Sequence, residues 1–80
     1  MSTITIRNNH QVAVGDLRVA VRGTLPVREH DGEVRSRSVI VTPESQVEVF
    51  DGDEVELGGQ LYRVAIDVAT PKVTLTAVEP

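Results

Sequence analysis

The 80-residue chain is 40% hydrophobic and 25% charged, carries a formal net charge of −4 and contains no cysteine. This describes one small globular domain rather than a disordered segment, and it excludes a disulfide framework and a thiolate zinc site. The acidic balance and the near absence of aromatics, Phe50 and Tyr62 alone, argue against nucleic-acid binding, which needs concentrated Lys and Arg and, for single strands, aromatic stacking platforms.

The elements read as β from end to end. Residues 3–7, "TITIR", alternate Ile4 and Ile6 against Thr3, Thr5 and Arg7, the period of a half-buried strand. "NNHQ" is a turn, since asparagine tolerates left-handed backbone. In "VAVGDLRVAVRG" Val12 and Val14 share one parity and Leu17, Val19 and Val21 the other, with Gly15-Asp16 at the phase change as a turn or bulge. Leu25 and Val27 keep the odd parity past Gly23, although Pro26 marks that stretch as an edge strand or an irregular segment. Asp31-Gly32 in "REHDGE" is a strong turn signal. "VRSRSVIVT" is polar on both faces at its start and apolar on both at its end, so the strand is expected to pass from solvent into the core.

Beyond Pro43 the alternation resumes in "QVEVF" and "EVEL", with "DGD" and Gly58-Gly59 as turns. "QLYRVAIDVA" and "KVTLTAV" close the chain around "TPK". No window has apolar spacing of three and four with helix caps, and Val, Ile and Thr favour strands. The expectation is a single all-β domain spanning residues 1–80, a small antiparallel barrel or sandwich of six to eight short strands. Its core is assigned to Val12, Val14, Leu17, Val19, Val21, Ile40, Val47, Val49, Val55, Leu57, Leu61, Val64, Ile66, Val73 and Leu75. Tyr62 shares parity with Val64 and Ile66, and Leu61 with Arg63; one of these faces is solvent or interface, and alternation alone does not decide which. A weak self-similarity at an offset of 36 residues, Val19, Val21, Gly23 and Leu25 against Val55, Leu57, Gly59 and Leu61, is what two hairpins give by patterning alone, with duplication as the alternative reading.

The densest polar stretch, Asp51-Gly52-Asp53-Glu54, has the first spacing of a calcium loop. Val55 and Leu57 then stand where further ligands belong, and the glycine lies between the aspartates instead of after the ligands. It reads as the turn that opens a hairpin, with Glu54 and Glu56 on the wet face of a strand. His10 and His30, the latter inside "EHD", both fall in turns; two histidines do not make a tetrahedral site, and exposed loop polarity is the simpler reading. There is no nucleophile elbow, no phosphate loop and no paired carboxylates that spacing singles out. No catalytic residue, cofactor or metal is therefore assigned.

Charge is unevenly placed. Residues 1–42 hold six arginines against four acids, whereas residues 43–80 hold Arg63 and Lys72 against eight acids. This suits a solvated surface, and equally a head-to-tail contact between neighbouring copies. Nothing in "MSTITIR" reads as an export signal, and no stretch approaches the roughly 20 apolar residues that span a bilayer, so a soluble, cytoplasmic setting is expected.

The run "GDEVELGGQLYRVAIDVATPKVTLTAV" resembles a family of small all-β actinomycete proteins, in which a "GD" turn, a short strand, a "GG" turn, an aromatic-plus-"RV" strand and a final "VTL" strand close the domain. The residues that carry it are Gly52, Asp53, Gly59, Tyr62, Arg63, Val64 and the "VTL" of 73–75, with "VGDLRVAV" similar to the family's first hairpin. The resemblance implies the all-β fold and no catalytic residues. The same run is similar to pieces of phage head–tail connector and decoration proteins. A domain this small without staples relies on a regular core or on assembly. The expected function is a non-catalytic protein-interaction or assembly module that self-associates, with Arg35, Arg37, Glu48, Asp51, Asp53, Glu54, Glu56 and Tyr62 as its candidate interaction surface. The alternatives are a small-ligand binder at a barrel end where the His10 and His30 loops gather, or a virion structural protein.

Overall fold

The computed structural model describes residues 3–79 as eight β-strands with no helix. They are β1 (Thr3–Arg7), β2 (Gln11–Val14), β3 (Leu17–Arg28), β4 (Val34–Val41), β5 (Gln46–Phe50), β6 (Glu54–Leu57), β7 (Gln60–Asp67) and β8 (Lys72–Ala77). Sheet I has the strand order β1-β8-β7-β6 and sheet II the order β2-β3-β4-β5, every pairing being antiparallel. The two sheets pack face to face as a sandwich, not a closed barrel.

Alternation fixes which residues meet between the sheets. Ile6, Val19, Val21, Ile40, Val64, Val73 and Leu75 are at most 1% exposed, and Val14, Val49, Leu57, Tyr62 and Ile66 complete the core. Val12, Leu17 and Val55 pack against it only partly buried. Two core assignments are corrected. Leu61 is 38% exposed because Tyr62, Val64 and Ile66 form the inward row of β7, which leaves Leu61 outside beside Arg63. Val47 is 40% exposed because it sits near the start of edge strand β5, which has a neighbouring strand on one side only. Ile6 and Tyr62, absent from the assigned core, belong to it.

The chain is built twice over. A shift of 43 residues carries β1 onto β5, β2 onto β6 and the start of β3 onto the start of β7. A shift of 35 carries the pairs made by β4 onto those made by β8: Val21↔Ile40 becomes Val64↔Leu75, and Val49↔Ser38 answers Ile6↔Val73. The hydrogen bonds of the two turns correspond one to one. Asn9 N donates to Val21 O at 2.6 Å and Gly52 N to Val64 O at 2.8 Å; His10 N donates to Arg7 O and Asp53 N to Phe50 O, both at 3.0 Å. Asn9 and Gly52 both have positive φ, 67° and 92°, a backbone that asparagine and glycine adopt most easily. The first strand of each half leaves its own half and completes the sheet of the other. The offset of 36 seen in sequence is therefore not the structural one.

The repeat also explains how the two short strands β2 and β6 are extended. Beyond the end of β6, Val64 N finds Asp53 O at 2.8 Å and Ile66 N finds Asp51 Oδ1 at 2.7 Å. Beyond β2, Val21 N finds His10 O at 3.3 Å and Thr24 N finds Asn8 Oδ1 at 3.2 Å. A side-chain oxygen thus stands in for the carbonyl of a missing strand residue, and the backbone N–H groups stay paired.

Candidate functional site

The halves differ most along β3, and that difference creates the surface of interest. Between Arg22 and Leu25 the register with β4 shifts, so that two residues of β3, Gly23 and Thr24, face one of β4, Ser38. Gly23 sits in this bulge at φ 62°, a left-handed conformation that glycine supplies without steric cost. The extra residue reverses the parity of the strand. Leu17, Val19 and Val21 point inward, but Leu25 and Val27 pair with Arg37 and Arg35 and share their outward face. The odd parity read across Gly23 in the sequence is thus broken in the fold. Arg37 Nη1 donates to Gly23 O at 3.2 Å, while Ser38, wholly buried, donates from Oγ to Arg22 O at 3.3 Å and lies 3.0 Å from Thr24 Oγ1.

The outer face of sheet II is laid out in rows by the register. Gln11, Ala20, Val41 and Gln46 form one, Arg22, Val39 and Glu48 the next, then Leu25, Arg37 and Phe50, then Val27 and Arg35. Leu25 is 42% exposed, and Val27, Val39, Val41 and Phe50 are partly exposed beside it. Arg37 Nε donates to Glu48 Oε2 at 2.9 Å, and Arg22 hydrogen-bonds the Gln46 amide oxygen. The Arg35 guanidinium lies 4.2 Å from the centroid of the Phe50 ring and 3.5 Å from Glu29 Oε1. A cation over an aromatic face at an exposed site contributes about 0.5–1 kcal/mol. Arg18, Arg22, Arg35 and Arg37 face out here against Glu48 and Glu29, so the face is cationic on a chain of net charge −4.

The outer face of sheet I is of another kind. Thr3, Thr5, Thr74 and Thr76 lie opposite one another in register, and Arg7, Arg63 and Lys72 balance Glu54, Glu56 and Asp67. Within its strands Leu61 and Ala65 are the apolar members among the described residues.

Of the candidate residues, Arg35, Arg37 and Glu48 are brought together on sheet II. The others are dispersed. Glu54 and Glu56 lie on sheet I, Glu54 paired with Arg63 at 3.3 Å. Asp51 and Asp53 turn their carboxylates onto backbone: Oδ1 of Asp51 accepts from Ile66 N and Oδ2 of Asp53 accepts from Phe50 N at 2.9 Å. Tyr62 is 7% exposed in the core and is not a surface residue, because its strand alternates with Val64 and Ile66 inward. Leu25, Val27, Val39 and Phe50 were missed in sequence. The signal available for them was the glycine inside an otherwise regular strand, a mark of a bulge.

His10 is exposed in the β1–β2 turn and lines a cleft of about 430 Å³ with Asn9, Arg22 and Gln46. His30 lies at the β3–β4 tip beside another cleft with Glu29, Asp31 and Arg35. The two histidines line different clefts, and among the described residues no group of three His, Cys, Asp or Glu residues is placed to hold a metal ion. Asp67 accepts from Thr70 Oγ1 at 2.8 Å and from Ala69 N at 3.0 Å. These bonds, that to the Thr70 hydroxyl first, hold its carboxyl below the ordinary aspartate range. No described helix is long and apolar enough to cross a membrane.

No protein-family model, curated protein or solved structure matches the chain.

Proposed function

We propose that the chain is a non-catalytic assembly module of the cytoplasm that binds protein through the outer face of sheet II and self-associates. The observation that carries this reading is the bulge-made cluster of Leu25, Val27, Val39 and Phe50, set among four arginines on one face of an acidic chain. Apolar side chains ringed by arginine are the composition of protein interfaces. Leu25 is the most exposed of them, at 42%, and the opposite face offers threonine and balanced charge instead. The cationic character selects an acidic partner. A second copy supplies one: Asp51 and Asp53 of the β5–β6 turn and Glu54 and Glu56 of β6, the edge strand of sheet I, make an acidic edge that lies off the cationic face.

The test is amide NMR of the labelled protein across a dilution series. Concentration-dependent shifts confined to Leu25, Val27, residues 35–41, Phe50 and the acidic edge are expected. Spectra that do not change with concentration, with and without salt, overturn self-association through this face.

A further inference from the structure

We propose that two copies of this chain also pair by exchanging halves, with residues 42–45 as the hinge. The internal repeat makes such an exchange possible. Residues 3–41 and 46–79 each form four strands, and each lends its first strand to the other's sheet: β1 to β8, β5 to β4. A half on its own lacks the outer strand of its main sheet and three of the four strands of the facing sheet. Its complement is the other half, and the corresponding half of a second copy offers the same register and the same buried partners, Ile6 and Val49 included.

Closed monomer and half-exchanged dimer therefore share their ladders and cores and differ only where β4 runs into β5. That connection, Thr42-Pro43-Glu44-Ser45, is held by one backbone bond, Thr42 N to Ser45 O at 2.8 Å, and by the Thr42 hydroxyl, which donates to Ser45 O at 3.3 Å, accepts from Ser45 N at 3.2 Å and lies 3.1 Å from Ser45 Oγ. Pro43, Glu44 and Ser45 are exposed, so opening the turn uncovers no apolar core. Pro43 has no N–H to leave unpaired and favours extended backbone at Thr42, which is the conformation an opened hinge requires. The exchange does not use the outer face of sheet II and stands or falls separately from it.

Thr5 and Thr74 allow a direct test. They are register partners across β1 and β8, one in each half, with side-chain oxygens 3.4 Å apart on an exposed face. The chain has no cysteine of its own. The double variant Thr5→Cys/Thr74→Cys is refolded dilute and concentrated, oxidised and run on a non-reducing gel, with each single variant as background. Exchange predicts a bridge within one chain when dilute and a covalent dimer whose share rises with concentration, above the single-variant background. Bridges within one chain at every concentration overturn it; a non-covalent dimer seen by light scattering in that same sample leaves docking through sheet II standing. A second variant removes Thr42, Pro43 and Glu44, leaving one residue between Val41 and Gln46, fewer than the two-residue loops of the tightest common hairpins. Exchange predicts a folded obligate dimer, and either a folded monomer or an unfolded chain overturns it.

Discussion

Arg37 reaches across from β4 to hold the carbonyl of Gly23, with Nη1 3.2 Å from the oxygen, and so clamps the bulge that turns Leu25 outward. A Cβ added at Gly23 lies 3.0 Å from that same Nη1, and Gly23 has φ 62°. Gly23→Ala combines left-handed strain with displacement of the clamp. It is expected to cost about 1–3 kcal/mol, read as a lower urea midpoint with an unchanged m-value. Unchanged stability contradicts the clamp.

Ser38 is the one fully buried polar side chain among the described residues. Its hydroxyl serves Arg22 O and Thr24 Oγ1 on the bulged strand. Ser38→Ala leaves both without that partner, and a loss of about 1–3 kcal/mol is expected. Val73, its counterpart in the other half, occupies a site with no bulge to satisfy, which marks the serine as belonging to the bulge. Thermal unfolding of the two variants, Ser38→Ala and Gly23→Ala, and of their combination checks this: residues that serve one feature give a sum that is not additive.

Asp51 and Asn8 occupy equivalent turns and do the same work, accepting from Ile66 N and Thr24 N. The equivalence predicts that Asp51→Asn keeps most of the stability, because an amide oxygen already fills this role at position 8. Asp51→Ala removes the acceptor and is expected to cost about 1–3 kcal/mol. Denaturation of the pair at neutral pH separates acceptor from charge: equal losses in both variants contradict the account.

Asp67 titrates below the ordinary aspartate range because the carboxylate accepts from Thr70 and Ala69. Its folded pKa is lower than its unfolded one, so the stability it contributes is present above the unfolded value. That stability fades as pH falls through the folded value, and it changes little near neutrality. Carboxyl NMR titration is expected to place Asp67 below the ordinary aspartate range when Thr70 is intact and to raise it in Thr70→Val. An Asp67 titration that Thr70→Val leaves in place contradicts the assigned cause.

Much of the fold is legible in the sequence because a two-residue period is a local signal. "TITIR", "QVEVF" and "EVEL" coincide with β1, β5 and β6, and "VRSRSVIV" passes from exposed Val34 to buried Ile40 as its composition indicates. The interaction surface is less legible because it depends on a single inserted residue. Alternation carried past Gly23 assigns Leu25 and Val27 to the wrong face, and only the cross-strand register reveals the shift. Tyr62 and Leu61 show the same limit: two adjacent apolar residues compete for one inward position, and the neighbours Val64 and Ile66 decide it. The repeat is hard to read from the sequence because its turns agree in backbone more than in residue type: Asn9 answers Gly52 and His10 answers Asp53, while Asn8 and Asp51 share only a side-chain oxygen.

The measurement that bears most directly on the central claim is molar mass by light scattering, in low and moderate salt, for the native chain and for Leu25→Glu. Leu25 is 42% exposed, so the substitution leaves the core intact while placing an acid on the cationic, apolar face. The account predicts a defined oligomer of the native chain that weakens as salt rises, and a shift towards monomer in Leu25→Glu at the same concentration. A native chain that stays an 8.7 kDa monomer in both salts, or an oligomer that Leu25→Glu does not weaken, contradicts assembly through sheet II.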